Sequence, residues 1–139
     1  MIEKTSAGIV KENRSERKRV LLIDDEPFML KSLQRLLEVK HEVIAALGGD
    51  AAFKLLEEAN GQFDAIICDL SMPGIGGVDL YRYIVKKYPK LEQRMIFMSG
   101  GAYTQQNKDF VASINNPQLE KPFSYEEILS TIEKVCQLK

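Results

Sequence analysis

The chain has 139 residues, of which 45% are hydrophobic, and this is enough for one ordinary domain with a substantial buried core. Its 19 basic and 20 acidic side chains leave a formal net charge of -1 at neutral pH, so there is no overall field to attract nucleic acid or an anionic membrane. Composition therefore excludes a largely disordered chain and favours recognition of any partner at a local site.

The two cysteines, Cys68 and Cys136, are too far apart in sequence for a metal-ligand spacing and too few for a disulfide framework. We expect two buried thiols in a reducing compartment. The apolar runs are far shorter than the ~18 residues that cross a membrane, and the first residues lack the apolar centre of a signal peptide. These features predict a cytoplasmic protein that binds neither a membrane nor nucleic acid directly.

The first predicted element follows a mostly polar N-terminal segment. Residues 1–18 have neither a helical nor a strand period, and we expect a linker or a flexible N-terminal tail. The apolar run 20–23 predicts a buried strand that ends on Asp24 and Asp25, and Pro27 suits the first turn of the helix that follows. The apolar face of this helix consists of Met29, Leu30, Leu33, Leu36 and Leu37.

A second strand and helix are predicted from residue 41 onwards. The strand covers 41–46 and is broken by Gly48-Gly49, after which Asp50 can cap a helix that ends at Asn60-Gly61. The apolar face of that helix consists of Ala52, Leu55, Leu56 and Ala59.

The most informative stretch is the third predicted strand. The apolar run 65–68 ends on Asp69, and the turn at Pro73-Gly74 closes the segment. Asp69 is therefore expected at the C-terminal end of a buried strand, which is the end where open α/β sheets bind ligands.

The alternation of helices and strands continues beyond this turn. A helix that stops before Pro89 has Val78, Tyr81, Ile84, Val85 and Tyr88 on its apolar face. The run 95–98 predicts a fourth strand that ends on Ser99. A shorter helix then carries Phe110, Val111 and Ile114.

The last predicted strand and helix lie at the end of the chain. A fifth strand over 118–121 ends at Lys121. Ser124 and Glu127 have the spacing of a capping box and predict the start of a final helix. Its inward side chains are expected to be Ile128, Leu129, Ile132, Val135 and Cys136.

Five strands that alternate with five helices indicate an α/β fold, a doubly wound parallel sheet covered on both faces. Because parallel strands point the same way, the polar residues that follow them should gather at one edge of the sheet. These residues are Asp24, Asp25, Asp69, Ser99 and Lys121.

Three neighbouring carboxylates repel one another unless a cation lies among them. Oxygen ligands without histidine or cysteine favour Mg²⁺, and the alternative is an acidic pocket without a metal. An aspartate with Mg²⁺ on one side, the Lys121 ammonium on the other and the Ser99 hydroxyl within reach can accept a phosphoryl group. We therefore predict phosphoryl transfer to Asp69.

Four motifs in this order resemble the response-regulator receiver domain of two-component signalling. The resemblance runs from about Arg19 to the C-terminus and defines residues 19–139 as the receiver domain. The matching segments are Leu22-Ile23-Asp24-Asp25-Glu26-Pro27, Asp69-Leu70-Ser71-Met72-Pro73-Gly74, Met98-Ser99-Gly100 and Lys121-Pro122-Phe123.

The resemblance implies a flavodoxin-like (βα)5 fold with strand order 2-1-3-4-5. Asp69 would be the phosphoacceptor, taking its phosphoryl group from a histidine of a kinase or of a histidine phosphotransfer protein. Asp24, Asp25, Asp69 and the backbone carbonyl of Ser71 would hold Mg²⁺. The resemblance also implies that Lys121 contacts the phosphoryl oxygens and that Ser99 is the switch hydroxyl.

The resemblance also concerns the wider role of the chain. An isolated receiver catalyses only its own phosphorylation and dephosphorylation, so we do not expect a conventional enzyme. Segments 98–103 and 119–123 are most similar to receivers at the C-terminus of hybrid histidine kinases, and a stand-alone response regulator is the other expectation. Receivers often pair through the face of their last two helices and last strand, which allows a weak homodimer.

One position departs from the family pattern. Receivers usually have Phe or Tyr three residues before the lysine, and this ring changes rotamer when the switch hydroxyl moves. This chain has Gln118 at that position, so phosphorylation should be transmitted to a partner in a different way. Tyr103 is a candidate substitute for the missing ring.

Two other functions fit the residues less well than a receiver does. An aspartyl-phosphate hydrolase would have a second acid two positions after the nucleophile, where this chain has Ser71. A flavin- or nucleotide-binding module would need a phosphate-binding loop after the first strand, where Asp24, Asp25 and Glu26 would repel phosphate.

Overall fold

The computed structural model of the protein describes residues 17–100 and 104–137. Most of the expected N-terminal tail and the candidate Tyr103 lie outside the described residues. None of the helices within these two ranges combines the length and the apolar character needed to cross a bilayer.

Five strands of the described chain form one sheet in the order β2-β1-β3-β4-β5, and every neighbouring pair is parallel. This confirms the predicted doubly wound sheet and its strand order. The strands are β1 (Arg19–Asp24), β2 (Glu42–Leu47), β3 (Ala65–Asp69), β4 (Met95–Ser99) and β5 (Gln118–Glu120).

Five α-helices of the described chain alternate with the strands, as predicted. They are α1 (Pro27–Leu37), α2 (Gly49–Glu58), α3 (Gly77–Lys87), α4 (Gln105–Ala112) and α5 (Tyr125–Cys136). A short 3-10 helix over Pro89–Arg94 was not predicted. Pro89 ends the α3 pattern as expected, but its fixed φ also suits the first position of a new helical turn.

The sheet separates two apolar layers. Side chains alternate along β1, so that Leu21 and Ile23 belong to the layer of α2 and α3, while Val20 and Leu22 belong to the layer of α1 and α5. Both faces are therefore covered, which explains why the strands are continuous apolar runs rather than alternating ones.

The buried faces of the helices differ in detail from the sequence pattern. Leu36 is 48% exposed, because α1 buries only the narrow stripe of Leu30, Leu33 and Leu37. On α3 the fully buried Leu80 was missed. Ile114 lies beyond the end of α4, and Cys136 is half-buried rather than buried.

The start of α2 also differs from its prediction. The helix begins at Gly49, two residues earlier than a cap at Asp50 would place it, and Gly48 with φ of 90° is the capping residue. Asp50 therefore lies in the first turn, where its negative charge is favourable near the helix N-terminus, instead of capping the helix.

Candidate functional site

The residues predicted to do chemistry lie at the C-terminal edge of the sheet. Asp24 is the last residue of β1, Asp69 the last of the central strand β3 and Ser99 the last of β4. Lys121 follows β5 directly, and its backbone N–H donates to the Ser99 carbonyl at 2.7 Å. The strand register therefore brings these residues to one place although they are up to 97 positions apart in sequence.

The three acidic residues form a compact cluster. One carboxylate oxygen each of Asp24, Asp25 and Asp69 lies within 4.8 Å of the others. Asp24 is completely buried and Asp69 is 6% exposed, whereas Asp25 is half-buried. Water therefore screens the repulsion between the two strand-terminal carboxylates only weakly.

Lys121 supplies a positive charge to this cluster. Its Nζ lies 3.5 Å from Oδ2 of Asp24 and 3.3 Å from Oδ2 of Asp69. Three carboxylates and one ammonium leave two negative charges unbalanced within the described site. This deficit, with oxygen atoms as the only donors from the three acids, fits a divalent hard cation such as Mg²⁺.

The protonation of Asp69 reflects competing influences. Burial raises the pKa of its carboxyl above the usual range, and the nearby Asp24 charge acts in the same direction. The Ser71 N–H, and after it the Lys121 ammonium, oppose this shift because both favour the charged form. A bound cation would act in the same direction as Lys121.

Local backbone turns orient both buried carboxylates. Oδ1 of Asp24 accepts the Glu26 N–H at 3.1 Å, and Oδ1 of Asp69 accepts the Ser71 N–H at 3.1 Å. Each side chain therefore bonds to the backbone two residues further on, which is a common turn for aspartate. Glu26 also caps α1, since its Oε2 accepts the Met29 N–H at 2.9 Å.

The structure adds Asn107, which the sequence did not single out. Its side chain is 9% exposed, and Nδ2 donates to the Ser71 hydroxyl oxygen at 3.4 Å. An asparagine in a polar helical turn carries no sequence signal of such a contact, because Ser71 is 36 positions away. An open cavity of about 430 Å³ lies beside this pair, between the loop after β3 and the start of α4.

Gln118 occupies the position where an aromatic ring was expected. Its side chain is exposed, and Nε2 donates to the Val111 carbonyl near the end of α4 at 3.4 Å. This position therefore carries a polar contact between β5 and α4 instead of a ring.

The site as a whole is suited to nucleophilic attack by a carboxylate on an anionic, oxygen-rich group. Asp69 offers the nucleophile, and the Lys121 ammonium beside it balances negative charge. Ser99, 4% exposed at the end of the neighbouring strand, adds a hydroxyl to the same edge.

Comparison with known proteins gives a consistent result. A family model described as the response regulator receiver domain matches residues 20–133. The chain is 30% identical over 119 residues to the response regulator receiver protein CpdR of Brucella abortus (strain 2308), which covers 85% of this chain and 96% of CpdR. It is 29% identical over 119 residues to the sensor kinase CckA of the same organism, but there the match covers only 12% of CckA.

A solved structure agrees with these relatives. The response regulator protein TrrA from Thermotoga maritima, in complex with Mg²⁺-BeF, is 29% identical to this chain with a TM-score of 0.69. The likeness covers 85% of this chain and 98% of the TrrA chain. Sequence and fold therefore point to the same family.

Proposed function

Because this chain belongs to the response regulator receiver domain family of two-component signalling, we propose that Asp69 is the residue that receives its phosphoryl group. The observation that carries this proposal is the position of Asp69. Its carboxylate ends the central strand, 3.3 Å from the Lys121 ammonium and within the three-carboxylate cluster. The donor in our proposal is a phosphohistidine on a histidine kinase or on a histidine phosphotransfer protein.

The proposed step is an in-line transfer. A carboxylate oxygen of Asp69 attacks the phosphorus atom, and the bond from phosphorus to the imidazole nitrogen breaks as the new oxygen–phosphorus bond forms. The electron pair of the broken bond stays on the imidazole, which is released as neutral histidine after it takes up a proton. Lys121 balances negative charge on the phosphoryl oxygens during the transfer.

We further propose that Asp24, Asp25, Asp69 and the backbone carbonyl of Ser71 hold Mg²⁺. Mg²⁺ would supply charge neutralisation to the transferring phosphoryl group. Two observations support this proposal, the two unbalanced negative charges of this site and the Mg²⁺-BeF bound by the related TrrA.

Ser99 is proposed to respond to phosphorylation as the switch hydroxyl. Its place at the end of β4, beside the strand of Asp69, supports this role. Receiver domains are signalling domains, and we propose that this chain catalyses only its own phosphorylation and dephosphorylation.

The domain organisation and context are also proposals. We assign residues 19–139 to the receiver and 1–18 to a linker, as at the C-terminus of a hybrid histidine kinase. The similarity to CckA supports this context, whereas the similarity to nearly all of CpdR favours a stand-alone regulator. The unpaired thiols suit a cytoplasmic location, and a weak homodimer through β5, α4 and α5 is part of the proposal.

The test is phosphorylation by a small acyl phosphate in the presence of Mg²⁺, followed by intact mass measurement. The wild-type protein should gain the mass of one phosphoryl group, and the gain should decay over time. Asp69→Asn should gain none, because its amide is not a nucleophile. Asp50→Asn is the matched control on an exposed acid outside the cluster and should behave as wild type. An equal yield from wild type and Asp69→Asn would overturn the assignment.

The same protein samples test the alternative function, an aspartyl-phosphate hydrolase, by their turnover of a phosphate monoester. Ser71, two positions after Asp69, offers no acid to activate water, and its hydroxyl already accepts a hydrogen bond from Asn107. We therefore expect no catalytic turnover of a phosphate monoester. Repeated turnover that is lost in Asp69→Asn would favour the hydrolase instead.

A further inference from the structure

The loop after Asp69 is tied to the start of α4 by a polar contact. Asn107 is the one buried side chain within α4, although it is an amide, and it donates to the Ser71 hydroxyl oxygen. Its own backbone is fixed by the helix cap, since the Asn107 N–H donates to Oγ1 of Thr104 at 3.1 Å. The amide therefore extends from an ordered helical turn to the loop.

Ser71 connects this contact to the proposed phosphoacceptor. Its backbone N–H donates to Oδ1 of Asp69 at 3.1 Å, while its side chain accepts from Asn107. A continuous path of two hydrogen bonds therefore runs from the Asp69 carboxylate to the first turns of α4. This path does not involve Gln118, which contacts the other end of the helix.

The α4 helix buries little apolar surface, since its Phe110 and Val111 are only partly buried against the core. It has eight residues, and its partly buried Phe110 contacts the rings of Tyr81 and Phe97 at centroid distances of 5.1 and 5.3 Å. A helix with so little buried apolar surface opens or shifts at a low free-energy cost. A change in one buried hydrogen bond can therefore change its position or its stability.

We propose that Asn107 is a positioning residue that couples the phosphorylation state of Asp69 to α4 through Ser71. This inference rests on the proposed role of Asp69. Once Asp69 carries a phosphoryl group, its carboxyl loses its negative charge and becomes a weaker acceptor for the Ser71 N–H. Ser71 then shifts, and Asn107 transmits this shift to α4 in a domain that lacks the expected ring at Gln118.

The test uses Mg²⁺ with beryllofluoride as the probe and amide hydrogen exchange of residues 105–112 as the readout. A hydrogen bond between neutral groups corresponds to a roughly two- to tenfold change in an equilibrium. Wild-type protein should therefore change its exchange protection in α4 by a factor in that range when the probe binds. In Asn107→Ala the change should fall below about twofold, while probe affinity stays within about threefold of wild type.

Two further variants distinguish coupling from a merely structural role. Gln105→Ala removes an exposed amide in the same helix that bonds to Asp109 rather than to Ser71, and it should keep the wild-type response. Adding Ser71→Ala to Asn107→Ala should cause no further loss of the α4 response, because both changes remove the same contact. A structural defect would instead lower protection equally with and without the probe.

The outcomes separate this inference from the proposed function. If wild-type protein does not bind Mg²⁺ and beryllofluoride, the role of Asp69 is wrong and this inference is wrong with it. If the probe binds but α4 does not respond in wild type, or responds equally in Asn107→Ala, the coupling alone is wrong.

Discussion

At the scale of single residues, backbone hydrogen bonds orient two carboxylates of the acidic cluster. Asp24 and Asp69 end different strands, yet each accepts the N–H of the residue two positions later at 3.1 Å. One oxygen of each carboxylate is thus used by the backbone, and the other faces Lys121. Such orientation lowers the entropy that ligand binding would otherwise lose.

His41 is also a buried polar residue, but it lies at the opposite end of the sheet from the acidic cluster. It precedes β2, and Nδ1 accepts the backbone N–H of Lys18 at 3.2 Å. Burial lowers the pKa of its imidazole below 6.5, and the positive charges of Arg17 and Lys40 act in the same direction. Protonation at Nδ1 would also remove the hydrogen bond from the Lys18 N–H, so folding favours the neutral form of the imidazole.

This pKa shift predicts a pH dependence of stability. Below about pH 6.5 the unfolded chain binds a proton at His41 before the folded chain does, so the free energy of unfolding should fall as the pH falls. The contribution is complete above the unfolded pKa and is lost towards the lower folded pKa. In His41→Gln this part of the decline should be absent, as measured by urea unfolding at a series of pH values.

The comparison between the two proteins isolates the histidine, because all other titrating groups are shared. Glu133 opposes the shift, so it must be kept in both proteins. If the free energy of unfolding depended on pH in the same way in wild type and in His41→Gln, the prediction would be wrong. His41 would then have the same proton affinity in the folded and unfolded chain.

At the scale of elements, the start of α2 supports the loop that follows the phosphoacceptor strand. A Cβ atom built on Gly49 would lie 2.5 Å from the Ile75 carbonyl oxygen and 2.6 Å from the Ile75 Cβ. Ile75 belongs to the loop between β3 and α3 and packs against the core. The absence of a side chain at residue 49 thus allows the helix and the loop to approach closely.

We predict that Gly49→Ala destabilises the protein by about 1–3 kcal/mol, because the clash involves backbone atoms that cannot rotate away. Helix propensity alone would make alanine more stabilising than glycine at this position. A fall in the free energy of unfolding would therefore indicate the steric clash. Urea unfolding measures the change in the free energy of unfolding.

The matched control for this substitution is Lys54→Ala, at an exposed position of the same helix. It should change the free energy of unfolding by no more than about 0.5 kcal/mol. If Gly49→Ala were as stable as this control, the loop around Ile75 would move to accommodate the methyl group without a measurable loss in the free energy of unfolding.

At the scale of the whole molecule, the candidate metal site exists only in the folded chain. Asp24 and Asp25 come from the end of β1 and Asp69 from the end of β3, and unfolding separates them. A cation that binds this cluster should therefore stabilise the folded state by mass action.

We predict that Mg²⁺ raises the free energy of unfolding by about 2.7 kcal/mol at a free concentration of about 100 times its Kd. Thermal unfolding at increasing Mg²⁺ concentrations measures this effect as a rise in Tm. In EDTA the wild-type protein should unfold at its lowest temperature, because two negative charges of the site are then unbalanced.

Asp24→Asn should lose most of this Mg²⁺ dependence and should be at least as stable as wild type in EDTA, because the amide removes one repelling charge. Asp50→Asn, an exposed acid outside the cluster, should keep the wild-type rise in Tm. The same rise in all three proteins would place Mg²⁺ binding elsewhere.

Much of the architecture was predictable because it depends on local signals. The apolar runs that become β1, β3 and β4 each end in a polar residue, and the capping box of Ser124 and Glu127 begins α5 as expected. Strand directions then follow from the alternation with helices, since helical crossovers connect parallel strands. For that reason the gathering of Asp24, Asp69 and Lys121 was predictable before any distance was known.

Only the tertiary structure determined which side chains meet across the layers. The contact of Asn107 with Ser71, the close approach of Gly49 to Ile75 and the bond from Gln118 to α4 join segments with no local pattern in common. The exposure of Leu36 likewise depends on how narrow a stripe α1 buries. Periodicity specifies which elements form and which end of a strand carries chemistry, whereas pairwise contacts depend on how helices and loops pack, and packing is a property of the whole chain.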